Sequence, residues 1–325
     1  MDRRSFCLTT FSAALTASTG ARAADVFPSR PVRVIVPYAA GGGPDVQMRQ
    51  IGLKLGEVLG QSIVIENKVG AAGVLAAQYV AQQPADGYTL LMGSNTHLIQ
   101  KILVPTLKFE PLTEFVPISN MAASPTVLVV PADGPYKKAE ELIAAAKANP
   151  GKMNYSSGGV GTAAHLAGAT LVKLAGLQAT HIPLKGSVEI TASLLRGDTN
   201  FAFPVAGTGV PQVKGGKLRA LAVTSAARLK ELPDVPTLSE ILRNDLAVQE
   251  SWFGFWAPAG TSADAVKVLH AAVSKVLADV SVKATLESTG SSAAPSASPQ
   301  AFAAYVQSEN LKWAEIVKLT GAVAG

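Results

Sequence analysis

Short apolar runs that alternate with helix-period segments, in two successive series, constrain this chain more than any other feature of its sequence. The first series reads Val32–Val36, a helix from about Asp45, Ile63–Glu66, a helix around Val74–Ala81, and Tyr88–Met92. That order predicts a parallel sheet covered by helices. The second series has Thr126–Val130, a helix near Ala139–Ala148, Met153–Tyr155, a helix after Gly161, His181–Ile182, a helix near Val188–Leu195, and strands at Phe201–Phe203 and Leu218–Val223. The expectation is an α/β protein of two lobes, each a mostly parallel sheet flanked by helices. Ligands of such sheets bind at the carboxyl ends of the strands, so two facing lobes imply a cleft that can close.

The last third offers one apolar strand, SWFGFWAPAG from Ser251, and then helices near Ala263–Leu277, Val282–Glu287 and Pro299–Leu319. Three helices without new strands do not make a third sheet domain, so they are expected to return and cover the first lobe. The division is therefore discontinuous: 24–124 plus 248–325 for lobe 1, and 125–247 for lobe 2. A mature length of roughly 300 residues, above what one ordinary core takes, agrees with two units.

Residues 1–23 read as a secretory signal. Arg3 and Arg4 precede a modestly apolar stretch from Phe6 to Ala17, and Ala21-Arg22-Ala23 supplies an A-x-A cleavage site. The Asp2–Phe6 run also resembles a twin-arginine signal. Cleavage near Ala23 removes Cys7, the only cysteine, so the exported chain has no disulfide and no thiol ligand or nucleophile. No later apolar run reaches the roughly 18 residues needed to span a bilayer. Losing three arginines and one aspartate lowers the net charge from +5 to +3, and the remaining cations are scattered. Nucleic-acid binding is not expected.

Between the first strand and first helix lies Pro37-Tyr38-Ala39-Ala40-Gly41-Gly42-Gly43-Pro44-Asp45. A glycine loop running into a helix N-terminus is an anion cradle, because unpaired N–H groups and the helix dipole both favour negative charge there. A P-loop needs Lys and Ser or Thr after its glycines, whereas Pro44 and Asp45 stand here. A carboxylate at position 45 repels phosphate, so a smaller, weakly charged group such as a carboxylate is expected, with Asp45 capping the helix or ordering water.

Other loops after strands are polar and small: Ser94 and Asn95 after Met92; Ser157, Gly158, Gly161 and Thr162 after Tyr155; Lys185 after Ile182; Pro204 after Phe203. Their hydroxyl and N–H groups can satisfy a carboxylate without a buried countercharge. Gly159–Ala164 also fits G-x-G-x-x-A, the mark of a dinucleotide site. The next strand ends at Leu184-Lys185-Gly186, where a ribose-binding acid is wanted, so an exported NADP-type dehydrogenase is the lesser alternative. The four histidines, His97, His165, His181 and His270, show no metal-ligand spacing, and no G-x-S-x-G elbow occurs. No metal and no cofactor are expected, and no catalytic residue is assigned.

Several motifs in order resemble the Bug-type solute receptors of tripartite tricarboxylate transporters: PSRPVRVIVPYAAGGGPD, GQSIVIENKVGAAG, ADGYTLLMGS, ANPGKMNYSSGGVGTAAHLAG, HIPLKG, GKLRALAVTSAARLKELPDVPTLSE and SWFGFWAPAGT. The resemblance implies a two-lobed periplasmic binding protein fold of type II-like kind. It implies a monomeric receptor that holds a small carboxylate and delivers it to membrane permease subunits; a membrane sensor kinase is the other recipient to weigh. It also implies a carboxylate held by Pro37–Asp45, that is by Tyr38, Ala39, Gly41, Gly42, Gly43 and Asp45, and by the Ser156–Thr162 loop. Leu184, Pro204 and Ala169 stand where the family commonly has Tyr, Asp and Glu. Those departures imply a solute with an apolar or aromatic body rather than citrate.

Overall fold

A computed structural model describes residues 27–323, and the expected signal segment lies outside the described residues. The first sheet is built from β1 (Val32–Val36), β2 (Ile63–Asn67), β3 (Thr89–Ser94), β4 (Phe115–Pro125), β10 (Glu250–Pro258) and β11 (Ser292–Ala293). Its order is β11-β4-β10-β3-β1-β2. The second contains β5 (Val127–Pro131), β6 (Met153–Ser157), β7 (Ala179–Pro183), β8 (Phe201–Ala202) and β9 (Leu218–Val223), in the order β7-β6-β8-β5-β9.

The two sheets share one plan. Each has three parallel strands in the order 2-1-3, then a strand that has crossed from the other lobe, inserted antiparallel, then a further strand parallel to the first three. β10 is the inserted strand of the first sheet and β5 that of the second. Both sheets are thus mostly parallel in strand direction while being mixed in their pairings.

Why β10 belongs at the centre of a sheet is visible in its alternation. Trp252 and Trp256 point to one face, where they pack with Val74, Leu98 and Phe302; Phe253 and Phe255 point to the other, with Val34, Met48 and Leu269. Both faces are covered, which is what a near-continuous apolar run requires. The covering helices of the first face pair are α1 (Gly43–Leu59), α2 (Val74–Ala81), α3 (Asn95–Leu103), α9 (Ala263–Ala278), α10 (Val280–Ser288) and α11 (Pro299–Thr320). The second sheet lies between α4 (Ala139–Ala148), α5 (Ala163–Leu174) and α8 (Leu238–Leu242) on one side, and α6 (Ser187–Arg196) and α7 (Ala206–Lys214) on the other.

The three C-terminal helices do return to the first sheet, and α11 also reaches α5 of the second lobe through Trp313 and Ile316, which pack on Ala163 and Leu166. Several elements depart from the sequence expectation, α8 and β11 among them, and three have a clear reason. β4 is an 11-residue strand whose Pro117, Asn120 and Pro125 obscure any β pattern. α3 begins at Asn95, inside what reads as a polar loop, and α7 contains Pro211 and two glycines.

Candidate functional site

Between the sheets lies a small chamber of ≈ 60 Å³. Five helices begin at its wall: α1 presents Pro44, α3 presents Thr96, α5 presents Thr162, Ala163 and Ala164, α6 presents Gly186, and α7 presents Val205. The first N–H groups of a helix lack intrahelical partners, and each dipole adds partial positive charge at that end. Among the described residues lining the chamber, none is charged. Tyr38, Ile190, Pro204 and Phe253 complete it with apolar surface.

The chamber adjoins a wider mouth of ≈ 760 Å³, with Tyr38, Thr96, Gly158, Thr162 and Gly186 common to both. The mouth is walled by Val69–Val74 on the first lobe and Pro183–Gly186 on the second. Lys185 is its one charged side chain among the described lining residues. One cation and several helix N-termini, with no acid among the described lining residues, make a site for an anion.

Packing fixes the wall. The Tyr38 hydroxyl donates to Ser94 Oγ at 3.0 Å while its ring meets Phe253 edge-on at 5.6 Å, and burial pushes its pKa up. Ser251 Oγ donates to Asn95 Oδ1. Thr162 caps α5, accepting from the His165 N–H and donating to the Gly159 carbonyl at 2.8 Å.

Of the residues read from the sequence, Tyr38, Ala39, Gly158, Thr162, Lys185 and Pro204 line the chamber or its mouth. Gly41, Gly42 and Gly43 instead line a separate cavity of ≈ 640 Å³ with Gly207 and Thr208. Asp45 is buried and turned away from solvent; its carboxylate accepts from the Gly41 N–H (2.9 Å), Arg49 Nε (3.0 Å) and Asn67 Nδ2 (2.7 Å). Burial raises its pKa, but those hydrogen bonds outweigh it and hold the carboxyl below the usual range. It therefore shapes the glycine turn through the Gly41 N–H. Ser94, Asn95 and Ser157 are buried and Gly161 packs against Gln100; none of the four lines the chamber or its mouth.

Sequence reasoning missed Pro44, Thr96, Ala163, Ala164, Gly186, Ile190, Val205, Ser251 and Phe253. Three of these had a readable signal: Ala163 and Ala164 follow the N-cap Thr162, and Pro44 is the first-turn proline of α1.

The lobes touch at glycines. Gln100 of α3 donates to the Val160 carbonyl, and a Cβ on Gly161, whose φ is +74°, would fall 2.2 Å from Gln100 Nε2. Across the other cavity the Gly43 N–H reaches Thr208 Oγ1 at 3.4 Å, with Gly43 against the Gly207 backbone.

Behind the Ser157–Thr162 loop, His165 and His181 stack with ring centroids 4.0 Å apart. His165 Nδ1 accepts the Gly161 N–H at 3.1 Å and His181 Nε2 lies 2.7 Å from Ser157 Oγ. Burial lowers the pKa of His165 to about 4 and of His181 to about 3, the latter also by its neighbour His165; burial likewise takes His97 to about 4. Folded values below the unfolded 6.5 mean that their contribution is fully present above pH 6.5 and is lost as pH falls toward 4. Urea unfolding is expected to show stability dropping by about 1.4 kcal/mol per pH unit for each such histidine across that window. His181→Asn and His165→Asn should flatten the slope, and a slope unchanged in both would contradict neutral buried histidines.

Two α/β lobes enclosing an acid-free chamber ringed by helix N-termini define a solute-binding protein. Residues 47–322 match the tripartite tricarboxylate transporter family receptor, and the chain belongs to that family. A UPF0065 protein of Cupriavidus necator, from the gbd 5' region, is 40% identical over 286 residues, covering 85% of each chain. Among solved structures, the periplasmic binding protein BugD superposes with a TM-score of 0.85 at 31% identity, over 92% of this chain and 100% of that one. An R. palustris protein solved with adipate gives 0.87 at 31% identity, over the same shares. Among the described residues no helix is long and apolar enough to cross a membrane, and no three His, Cys, Asp or Glu side chains cluster as metal ligands.

Proposed function

We propose that this chain is a monomeric, non-catalytic receptor that captures a small carboxylate between its lobes in the periplasm and hands it to the membrane subunits of a tripartite transporter. The observation that carries the reading is the convergence of five helix N-termini on a chamber whose described lining residues include no acid. A carboxylate there gains several backbone hydrogen bonds and the field of the dipoles without needing a buried cation. The adipate carried by the R. palustris relative is a carboxylate of this kind.

The residues assigned to the solute are Tyr38, Thr96, Gly158, Thr162, Ala163, Ala164 and Pro204, with Ala39 and Lys185 at the mouth. Lobe 1 is taken as 24–124 plus 248–325 and lobe 2 as 125–247, with export directed by residues 1–23. Closure is coupled to binding, because the solute contacts both lobes only when they meet.

A thermal-shift screen of residues 24–325 tests the reading, using mono-, di- and tricarboxylates, amino acids, NAD and NADP. A native-state ligand raises Tm by mass action. A rise with carboxylates, with the solute recovered unchanged, is expected. A rise with a dinucleotide alone would replace the receptor with the dehydrogenase reading.

A further inference from the structure

The five helices that begin at the chamber share a device. In each, the side chain at the third helical position accepts a backbone N–H. Asp45 on α1 accepts from Gly41 (2.9 Å), His97 Nδ1 on α3 from Ser94 (3.1 Å) and His165 Nδ1 on α5 from Gly161 (3.1 Å). Glu189 on α6 accepts from Lys185 (3.2 Å), and Thr208 on α7 from Gly43 of the facing lobe (3.4 Å). A contact of this kind fixes the turn that leads into the helix, and its usual residue is Glu or Gln. An acid there suits the helix dipole, but at a helix start that attracts an anionic solute its charge cancels the attraction.

The two acids among the five are paired or solvated. Asp45 meets Arg49 Nε at 3.0 Å and Asn67 Nδ2 at 2.7 Å, and Glu189 is exposed. The two buried positions at the third residue of α3 and α5, one from each lobe, carry histidine: His97 is 0% and His165 6% exposed. A ring nitrogen that accepts an N–H carries no proton, so both rings are neutral with their proton on Nε2. Their surroundings keep them so. His97 lies among the rings of Phe109 and Trp256, and His165 is stacked on His181. The cavity of ≈ 640 Å³ beside His165 and His181 has Lys173 and no acid among its described lining residues, so nothing there favours an imidazolium. Burial lowers both pKa values to about 4.

We infer that His97 and His165 are positioning residues for the solute: neutral Nδ1 acceptors that shape the turns into α3 and α5 without placing a negative charge at those two helix starts. The inference rests on the carboxylate reading above, and it adds two residues that line neither the chamber nor its mouth. Their replacements by Asn and Asp test it, because an Oδ1 of either stands where Nδ1 does and the pair differs in charge alone. Asp45 shows that an aspartate makes the same contact in this fold.

The experiment is titration calorimetry of residues 24–325 and of His165→Asn, His165→Asp, His165→Leu, His97→Asn and His97→Asp, each first checked for folding by circular dichroism. The probe is whichever of adipate, malate, citrate and benzoate raises the parent's Tm most. The Asn variants keep the acceptor and are expected to lose less than threefold in affinity. The Asp variants should lose tenfold or more, by a factor that grows with pH as the new carboxyl ionises. His165→Leu has no acceptor and should also lose tenfold, with faster hydrogen exchange at the Gly161 amide. Asp variants that bind like their Asn counterparts at every pH, or His165→Leu that binds like the parent, overturn the inference and leave the receptor reading standing. Should an Asp variant fail to fold, imidazole 15N NMR of the parent decides: Nδ1 unprotonated and Nε2 protonated are expected at both histidines, and a protonated Nδ1 overturns the inference. No Tm rise with any of the four acids overturns the receptor reading and the inference with it.

Discussion

Gly43→Ala is expected to lower carboxylate affinity by at least 100-fold while each lobe stays folded. A Cβ at position 43 would stand 2.7 Å from the carbonyl carbon of Gly207 and 2.9 Å from its oxygen, and both are backbone atoms of the opposite lobe. No side-chain rotation relieves a clash with backbone, so the lobes must stand apart. Contacts from α1 and α3 on one side and α5, α6 and α7 on the other cannot then act on one solute together. A solute that binds only the closed arrangement loses affinity by the factor by which closure becomes rarer. Titration calorimetry on Gly43→Ala, with apo Tm as the folding control, measures this. Affinity within threefold of the parent would show that the solute does not need this closed contact.

Glu309→Ala is expected to have the largest effect on stability. Glu309 is buried on α11, and its Oε2 accepts from the indole N–H of Trp252 on β10 and of Trp313 on α11, each at 2.9 Å. Lys312 Nζ reaches the other oxygen at 3.2 Å. Removing the carboxylate strands two buried indole donors and leaves a void between helix and sheet. The sum is about 3–5 kcal/mol, or roughly 10 °C in Tm for a chain of this size. Glu309→Gln keeps an acceptor and the volume, and should cost about a third as much. Chemical denaturation of the two variants separates the cases; equal losses would mean that charge, not the indole bonds, holds α11 to the sheet.

Much of the fold was legible because its signals are local. The apolar runs of β1, β3 and β9 and the capped helices α1, α5 and α11 each carry their own pattern, and β10 shows its buried nature in four aromatic residues. β4 was not legible. It is buried on both faces by other elements, so its small residues and prolines carry no alternation of their own. α3 was hidden because its first turn, Asn95-Thr96-His97, is polar and turned inward: His97 Nδ1 accepts the Ser94 N–H instead of facing water.

The site was half legible for a related reason. A glycine loop before a helix identifies one N-terminus, but the chamber is defined by where five N-termini from two sheets meet, and no spacing along the chain encodes that. Sequence alone therefore points to Gly41–Gly43, which line another cavity, and not to Pro44, one residue on, which faces the chamber. Phe253 reads as core and hinge from its neighbours; only the turn of β10 toward Tyr38 reveals it as wall.

Backbone amide NMR reads whether the α5 N-terminus holds the solute carboxylate. Deuterated, 15N-labelled residues 24–325 would be titrated with the tightest carboxylate from the screen. The largest downfield amide shifts are expected at Ala163 and Ala164, with smaller ones at Thr96 and Gly186. Shifts confined to Gly41–Gly43, with the α5 amides unmoved, would rule out the α5 site and return the carboxylate to the glycine loop.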